Sequence, residues 1–412
     1  MHIKSVHLKS FKRFSDLRLE GLPPSARLVV LCGPNGTGKS SLFDGVKSAG
    51  EALAGYGLAW DALYYPKKGE QEIVWPQNAL IEFHEPIPQT ADDRKKMLYV
   101  RSAYRHDPDF TVSGIYMMGR LLDAPRVPKM IDTDIKVSDD YQRLASSALD
   151  RVFSGSDDKL VVDDLRNNLV GPVQASMTRL FTDLQLTGLG NPLSGGTFYF
   201  QKGTSFDFHY KNLSGGDKAA FDLILDLIVK MPAYNDTVFC IDEPELHMNT
   251  RLQASLLGEM FRLIPDNSQL WVATHSIGMM RKAQDLQQEF GNDVVVFLDF
   301  EGIDFDSPAV LRPAETDRRF WARVFEVALG DLAELVGPRQ VVLCEGKPNA
   351  ESRRGKAESD ADIYRVIFEA EYPDTTFISV GQCCRRRNRS PASRGNGASD
   401  CKWHKGNQAS RP

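Results

Sequence analysis

The sequence predicts an α/β fold in which short apolar strands alternate with helical segments. Three apolar runs carry this prediction, and each leads into residues that can do chemistry. Residues 28–32 lead into a glycine-rich loop, residues 237–241 lead into two acidic residues, and residues 270–274 lead into a histidine. A helical pattern follows the loop, so the chain begins its core as strand, loop and helix.

The glycine-rich loop spans residues 33–40 and matches the P-loop pattern G-x-x-x-x-G-K-[ST] at every fixed position. Its glycines let backbone N–H groups close around phosphate oxygens, and the helix N-terminus adds partial positive charge. Lys39 is expected to reach the β- and γ-phosphates, and Ser40 to ligate Mg²⁺. A glycine turn with a chance lysine is the alternative, which the flanking strand and helix argue against. The nucleotide-binding residues predicted here are Gly33, Pro34, Asn35, Gly36, Thr37, Gly38, Lys39, Ser40 and Ser41.

Composition indicates a cytoplasmic protein of two or three domains. The chain has 412 residues, of which 42% are apolar, an ordinary globular composition. Its first residues lack the apolar stretch of a signal peptide, and no run of about 18 apolar residues predicts a membrane span. Cys32, Cys240 and Cys344 lie in strand-like apolar runs, which indicates buried thiols in a reducing compartment.

The formal net charge of −5 is unevenly distributed along the chain. Residues 383–412 hold eight Arg or Lys and one Asp, which leaves the rest of the chain at about −12. A nucleic-acid contact therefore needs a local basic patch and not a global field. The terminal segment has almost no large apolar residue and is expected to be disordered, with nonspecific nucleic-acid contact as the alternative.

The N-terminal segment predicts an antiparallel hairpin laid beside the P-loop strand. Residues 2–9 alternate apolar and polar side chains, and residues 17–19 form a second short strand after a bend. The helix after the P-loop is expected to run to about Ala54, where Gly55 breaks it.

Strand-like residues and then a polar, helix-prone segment come after that helix. Residues 80–84 and 97–104 are the clearest strands. Arg101 and Arg105 are expected to be exposed cations on a half-buried strand, and a basic face toward the nucleotide or a partner is the alternative. Residues 106–190 are interpreted as an insertion arm, in which residues 163–186 are the best amphipathic stretch.

Two Ser-Gly-Gly triplets differ in the type of segment that each one opens. Residues 194–196 lead into a strand and are predicted to form a turn. Ser214, Gly215 and Gly216 lead into a helical segment. Glycines that open a helix make a second anion-binding site.

An acidic pair, Asp242 and Glu243, closes an apolar strand in the arrangement of a Walker B motif. Asp242 is expected to hold Mg²⁺ through water, and Glu243 to orient and deprotonate the attacking water. A strand that ends in an acidic turn is the alternative. His275 follows the next apolar strand and is expected to sense the γ-phosphate, with a structural or merely exposed histidine as the alternative. The predicted catalytic residues are therefore Glu243, His275 and Lys39.

In their order, the P-loop, the Leu-Ser-Gly-Gly signature, the Asp-Glu pair and the histidine resemble the heads of ABC-class ATPases. Within that class, the chain is similar to the SMC, RecF and OLD (overcoming lysogenization defect) group of AAA family ATP-binding proteins. Residues 11–14 resemble that group's Phe-Lys-x-Phe, and residues 242–247, Asp-Glu-Pro-Glu-Leu-His, resemble its Walker B extension. The resemblance covers roughly residues 1–300, apart from the insertion.

The resemblance implies an ATPase that binds ATP and Mg²⁺ and forms a homodimer or higher oligomer around the nucleotide. The P-loop of one subunit would bind ATP, and the signature of another, residues 214–216, would cap it. A nucleic acid and an effector protein are the further partners implied, in DNA repair or antiviral defence and away from any membrane. Gln71 and Gln77 are the candidates for the Q-loop glutamine of such heads.

The C-terminal part predicts a strand, a helix and a second strand between residues 340 and 380. This βαβ unit resembles the start of a Toprim domain, in which Glu345 would supply a catalytic acid and a metal ligand. No Asp-x-Asp comes after Gly381, and one Glu cannot build a two-metal site, so we expect no Toprim nuclease activity. A plain βαβ unit with an acidic loop is the alternative. The end of the chain looks like a truncated or out-of-frame segment.

The predicted fold class is α/β, a P-loop NTPase of the ABC-type ATPase head with a helical insertion and a partial βαβ, Toprim-like C-terminal segment. The predicted function is ATP hydrolysis that drives a DNA-directed process. A nucleotide-gated interaction module with little turnover and a metal-dependent nuclease acting through Glu345 are the alternatives. The expected domains are an N-terminal ATPase lobe at 1–105, the insertion arm at 106–190, a C-terminal ATPase lobe at 191–310, a helical linker at 311–339, the βαβ segment at 340–382 and a disordered basic tail at 383–412.

Overall fold

The structure is a computed structural model of the 412-residue chain, and it divides into two units, Met1–Val336 and Gly337–Pro412. Each unit is described by itself. The residues described are 1–57, 60–105, 107–112, 114–116, 118–123, 125–153, 162–191, 195–329, 340–344, 360–368, 372 and 375–379.

Five parallel strands form the central sheet of the first unit. They are β3 (Leu28–Cys32), β5 (Leu98–Arg101), β9 (Val238–Asp242), β10 (Gln269–Ala273) and β11 (Val295–Asp299). Their spatial order is β11-β3-β10-β9-β5, so the P-loop strand β3 lies between β11 and β10. Each strand is a nearly continuous apolar run, as a parallel sheet that is covered on both faces requires.

Helices cover both faces of this sheet. The alternation of side chains along β3 shows it, because Val29 and Leu31 pack into one hydrophobic core and Leu28 and Val30 into another. The first core includes the apolar side chains of α1, and the second includes those of α6 and α7. The helices around the sheet are α1 (Lys39–Ala54), α5 (Gly215–Lys230), α6 (Thr250–Leu263), α7 (Ile277–Phe290) and α8 (Arg318–Leu329). Helix α1 ends at Ala54 with Gly55 as its left-handed cap, as predicted.

A second sheet packs on α1 and on one face of the central sheet. It contains β1 (Ile3–Phe11), β2 (Phe14–Leu19), β4 (Ala79–Phe83) and β12 (Pro308–Leu311), in the order β12-β2-β1-β4. Strands β1 and β2 form the predicted antiparallel hairpin. Its expected place beside the P-loop strand is wrong, because both edges of β3 are already paired with β10 and β11. The hairpin contacts β3 through apolar side chains instead.

The segment predicted as a helical insertion arm, residues 106–190, contains a strand as well as helices. Helix α2 (Ala91–Lys95) precedes the segment, and α3 (Asp140–Phe153) and α4 (Val162–Leu180) lie within it. An antiparallel sheet of β6 (Leu184–Leu189), β7 (Phe198–Lys202) and β8 (Ser205–His209) comes next. The amphipathic stretch 163–186 is therefore helical only to Leu180, because pairing with β7 overrides the helical pattern beyond it. Phe198 and Phe221 pack together in the core that joins this sheet to α5.

The second unit contains a parallel βαβ unit, as predicted. Its elements are β13 (Gln340–Cys344), α9 (Asp360–Phe368) and β14 (Thr375–Ser379). Cys344, Ala361 and Phe377 form its buried centre. Glu345 and the basic tail 383–412 lie outside the described residues.

Two further predictions concern the whole chain. Cys32 and Cys240 are free and buried, and Cys344 is buried, as expected. In the described part of the chain, no helix combines the length and the apolar character that a membrane span needs.

Candidate functional site

The loop after β3 has a left-handed backbone at three positions, which glycine adopts without strain. Gly33, Gly36 and Gly38 have φ angles of 130°, 77° and 104°. Gly38 also lacks room for a side chain, since a Cβ there would lie 2.9 Å from the ring of Phe14. The path of the loop therefore requires glycine at these positions, whether or not a ligand is bound.

The turn of the β1–β2 hairpin supports this loop. The Arg13 Nη1 donates to the carbonyl oxygen of Gly36 at 2.9 Å, and Phe14 packs against the end of the loop. Lys12 Nζ donates to Asp44 of α1 at 2.5 Å. These contacts give a structural reason for the Phe-Lys-x-Phe pattern, because its residues fix the P-loop and the start of α1.

Lys39 is buried and donates back to its own loop. Its Nζ lies 2.8 Å from the carbonyl oxygens of both Gly33 and Pro34. Burial lowers the pKa of Lys39 to about 8, against the opposing charges of Asp242 and Glu243. The ammonium group is thus charged at neutral pH and stands at the mouth of the glycine loop, where phosphate oxygens can replace the two carbonyls.

Ser40 and Asp242 bring two oxygen donors together. Asp242 ends β9 and is 2% exposed, and the Ser40 hydroxyl donates to its carboxylate. Burial raises the pKa of Asp242 to about 7, and the Ser40 hydrogen bond opposes this rise. A hydroxyl and a carboxylate are donors that Mg²⁺ accepts when phosphate and water complete its octahedron. Across the described ranges, no cluster of three or more His, Cys, Asp or Glu offers a metal site made by the protein alone.

Glu243 has a strained backbone and lies near His275. Its φ is +43°, and its N–H donates to the carbonyl oxygen of Ala273 at 2.9 Å. The Glu243 Oε1 lies 3.8 Å from the His275 Nε2. Burial, with a smaller effect of the Lys39 charge, lowers the pKa of His275 to about 4. The imidazole is therefore neutral at pH 7, and the contact is not an ion pair.

A cavity of about 280 Å³ brings the polar ends of these elements together. Ser40, Asp242 and Glu243 line it, with Asp44, Tyr104 and Leu246 among the other walls. The carboxyl ends of β3 and β9 meet at this edge of the sheet, which is where ligands bind in open α/β folds. The structure therefore brings together the residues that the sequence placed in three separate motifs.

The expectation that Arg101 and Arg105 are exposed cations is wrong. Arg101 is 1% exposed, and its guanidinium faces Asp226 at 3.1 Å and Asp134 at 3.4 Å. Arg105 donates from Nη2 to the carbonyl oxygens of Asp242 and Glu243, at 2.6 and 3.1 Å. Carboxylates from residues outside β5, Asp134 and Asp226, cover this strand. The alternation of residues within β5 could not predict this cover.

Glu245 is a second residue that the motif analysis left without a role. Its Oε1 accepts from the Thr274 hydroxyl at 2.7 Å and from the His275 N–H at 2.8 Å. It thus links the Asp-Glu-Pro-Glu segment to the loop that carries the histidine. Its place in the Walker B extension was the only signal in the sequence.

The signature opens α5, as predicted. Ser214 caps the helix, its hydroxyl accepting from the Asp217 N–H at 3.2 Å, and both Ser214 and Gly215 are exposed. A Cβ on Gly216 would lie 2.8 Å from the carbonyl oxygen of His247, so this glycine lets the helix pack against the Walker B extension. Residues 213–216 are absent from the lining of the Ser40 cavity within the described chain.

The remaining predicted residues have less defined settings. Pro34 and Asn35 are exposed on the loop, the Thr37 hydroxyl donates to the Pro34 carbonyl at 2.9 Å, and Ser41 is half-buried in α1. Gln71 and Gln77 are exposed, and neither lines the Ser40 cavity in the described chain. Ser194 and Glu345 lie outside the described residues.

Residues 97–281 match a protein family described as "AAA domain, putative AbiEii toxin, Type IV TA system". The match begins just before β5 and includes the signature, the Asp-Glu pair and His275. It does not reach the P-loop, and it spans less than half of the chain. No curated protein sequence matches the chain.

Solved structures of SMC heads are similar to the chain at low identity. One is an SMC head bound to the C-winged helix domain of ScpA, at 14% identity over 76% of this chain and 98% of that chain, with a TM-score of 0.43. Another is the SMC head domain from Thermotoga maritima, at 16% identity over 77% and 100%, with a TM-score of 0.37. A third is an SMC head with an extended coiled coil, bound to the C-terminal domain of ScpA and derived from Pyrococcus furiosus, at 12% identity over 79% and 99%, with a TM-score of 0.41.

The parallel sheet, the P-loop at the end of β3 and the family match identify the fold as a P-loop NTPase of the ABC-type ATPase head. The predicted α/β class and ABC-type head fold are confirmed, and the Toprim-like character of the C-terminal segment stays a prediction.

Proposed function

We propose that this chain binds ATP with Mg²⁺ and hydrolyses it. The observation that carries the proposal is the convergence of Ser40, Asp242 and Glu243 on one cavity, with Lys39 and His275 beside it. P-loop NTPases need these residue types at these places, because phosphoryl transfer is catalysed mainly by positioning and charge stabilisation.

The nucleotide-binding part of the proposal rests on the loop and on Lys39. The backbone N–H groups of residues 33–40 would hold the phosphates, and the Lys39 ammonium would leave the carbonyls of Gly33 and Pro34 for phosphate oxygens. Ser40 and Asp242 would hold Mg²⁺. A bound Mg²⁺ supplies neutralisation of the charge on the phosphate oxygens.

Hydrolysis is assigned to Glu243. Its carboxylate lines the cavity and is 32% exposed, so it can accept a proton from a water molecule there. His275 is neutral at pH 7, so it can form a hydrogen bond with a phosphate oxygen or with that water without adding positive charge. Lys39 supplies the positive charge that stabilises the transition state.

The test is Glu243→Gln, with Glu289→Gln on the exposed end of α7 as the matched control. We expect turnover of ATP to fall by about 10²- to 10⁴-fold in Glu243→Gln, while ATP still binds, because the amide cannot accept the proton. Single-turnover assays and titration with a fluorescent ATP analogue measure the two quantities separately. Unchanged turnover in Glu243→Gln would end the proposal, and binding without turnover in the wild-type chain would favour a nucleotide-gated interaction module.

We further propose that two copies of the chain enclose the nucleotide. Ser214 and Gly215 are exposed at the start of α5, and they do not line the cavity that holds Ser40 in the described chain. An exposed helix start outside the Ser40 cavity of its own chain fits a role at the nucleotide of a second copy. The signature would then act in trans, and ATP would link two subunits.

The process served is proposed to be DNA-directed, in repair or antiviral defence. The resemblance of the motifs to the SMC, RecF and OLD group supports it, and the description of the matched family names a toxin–antitoxin system. Because the chain apart from its tail is acidic, DNA contact would depend on a local patch. Turnover measured with and without double-stranded DNA, at two salt concentrations, tests this part, since phosphate contacts weaken as salt rises.

A further inference from the structure

The backbone turn of Glu243 is held from two sides. On one side its N–H donates to the carbonyl oxygen of Ala273. On the other side a single nitrogen of Arg105, Nη2, reaches the carbonyl oxygens of both Asp242 and Glu243. The φ of +43° at Glu243 is one that a residue with a side chain adopts at a cost, so the surrounding contacts must maintain it.

Arg105 lines a cavity that adjoins the cavity of Ser40. Ala103 and Leu246 line both the 280 Å³ cavity of Ser40 and a second cavity of about 270 Å³. Arg105, Gly215 and His247 line the second cavity, which thus borders the start of the signature helix. The same few residues therefore connect the turn that carries Glu243 with the helix that carries the signature.

Within the described chain, the side-chain hydrogen bonds of Arg105 go to these two carbonyls. Its Nε and Nη1 are buried and have no hydrogen-bond partner among the described residues. Burial lowers the pKa of Arg105 to about 10, and the charges of Asp134, Asp242 and Glu245 oppose this fall. A guanidinium whose hydrogen bonds go to two consecutive carbonyls is placed to fix the main chain.

We propose that Arg105 is a positioning residue for Glu243, one that holds residues 242 and 243 in the backbone conformation needed for hydrolysis. The inference rests on the proposed function, in which Glu243 accepts the proton. Arg105 acts through the main chain of residues 242–243 and has no contact with the carboxylate of Glu243 in these hydrogen bonds. Without it, the Asp242 carbonyl loses the arginine donor and the Glu243 carbonyl keeps only the 3.4 Å hydrogen bond from the Leu246 N–H. The strained turn can then relax and move the carboxylate.

The experiment compares Arg105→Ala and Arg105→Lys with Arg27→Ala. Arg27 is the matched control, because its Nη2 also donates to two main-chain carbonyls, those of Phe261 and Ile264, away from the cavity. We expect Arg105→Ala to lower kcat by about 10- to 100-fold with KM changed little, as for a displaced catalytic group. Arg105→Lys should restore part of the rate, and Arg27→Ala should turn over at the wild-type rate once its melting temperature is taken into account.

A double variant separates positioning from general damage. If Arg105 acts only through Glu243, Arg105→Ala should cause no further loss of residual turnover in the Glu243→Gln background. Equal proportional losses in both backgrounds would overturn the inference, as would wild-type kcat in Arg105→Ala.

Hydrogen exchange keeps the inference testable even if the wild-type chain does not hydrolyse ATP. Amides of residues 242–247 should exchange faster in Arg105→Ala than in Arg27→Ala, because the turn has lost one of its two anchors. Equal exchange in the two variants would reject the positioning role, whatever the turnover. Failure of the proposed function alone would instead appear as wild-type turnover that Glu243→Gln does not change.

Discussion

The P-loop side and the signature side of the first unit are built in opposite ways. On the P-loop side, a lysine, a serine and acidic residues from two strand ends lie close together, and Lys39 and Asp242 are buried. On the signature side, Ser214 and Gly215 are exposed, and the hydroxyl of Ser214 is used to cap its own helix. The P-loop side brings reactive groups of one chain together, whereas the signature side leaves the start of its helix exposed.

Because of this difference, substitutions on the P-loop side and on the signature side should have different effects. A residue buried among charges contributes to binding and to chemistry in its own subunit. The exposed helix start contributes to the stability of its own subunit through the Ser214 cap and through the packing of Gly216 against His247. If the signature of one subunit completes the nucleotide site of another, a subunit with an inactive P-loop and a subunit with an inactive signature should together form one active site.

The largest expected effect is the recovery of ATP turnover when two inactive variants are mixed. Lys39→Ala and Ser214→Arg should each lose turnover by about 100-fold or more as pure proteins, because each removes a group that stabilises transferring phosphate. A random mixture should recover about a quarter of the wild-type rate, because half of the dimers are mixed and each of these has one complete site. Steady-state phosphate release at equal total concentration measures it.

The control for that experiment is a mixture of Lys39→Ala with Lys39→Ala,Ser214→Arg, in which no complete site can form. Recovery there would point to contamination. No recovery in the first mixture, with both variants folded and dimeric, would mean that the signature does not act in trans, and the comparison between the two sides would collapse.

The sequence predicted the parts of the site that lie in consecutive residues. The P-loop needs fixed residue types in a row, and so does the Asp242-Glu243 pair, because one turn of chain must present them together. Arg105 could not be predicted in this way, because its partner Asp242 is 137 residues away and the contact exists only once β5 pairs with β9. The same holds for Glu245, because its hydrogen bond goes to the loop of His275, 30 residues later in the chain.

The fold shows the same limit. The central strands were predictable from their apolar runs, and α1 was predictable from its glycine stop. The sheet that the hairpin joins was not, because antiparallel pairing of β1 with β4 depends on residues 79–83, far from the hairpin in sequence. The predicted amphipathic stretch also included residues 184–186, which lie in strand β6 because tertiary pairing with β7 outweighs local propensity.

An effect of intermediate size should separate the two glycines of the signature. Gly216→Ala places a Cβ 2.8 Å from a main-chain oxygen, so it should lower the melting temperature by about 2–6 °C as well as turnover. Gly215→Ala has open space in its own chain, with its nearest neighbour His247 Cβ at 4.0 Å, so its melting temperature should be unchanged. Its turnover should nevertheless fall, because that open space is where a neighbour's phosphate would lie.

Calorimetry and turnover of the two variants test this. Wild-type turnover in Gly215→Ala would show that the exposed face of the signature is not used, and the P-loop side would then have to work without it.

The smallest effect concerns an ion cluster that joins α4 to α6. Glu259 of α6, the helix after the Walker B extension, pairs with Arg179 of α4 in the insertion at 2.8 Å and with Arg262 at 2.5 Å. Burial raises the pKa of Glu259, but the hydrogen bonds from the two arginines outweigh it and bring the pKa to about 2. Both arginines are nearly half exposed, so solvent screening reduces what the cluster contributes.

A carboxyl whose folded pKa is below its unfolded value stabilises the fold above the unfolded pKa, and this contribution is lost as the pH falls through the folded pKa. Glu259→Gln should therefore lower the melting temperature by about 2–4 °C at pH 7, and the difference from the wild-type chain should shrink between about pH 4.5 and pH 2. Glu289→Gln, at an exposed glutamate with no such arginine pair in the described part of the chain, should show no difference at either end of that range. A difference in melting temperature for Glu259→Gln that stays constant as the pH falls would mean that the carboxylate charge does not hold α4 to α6, and that apolar packing alone holds these two helices together.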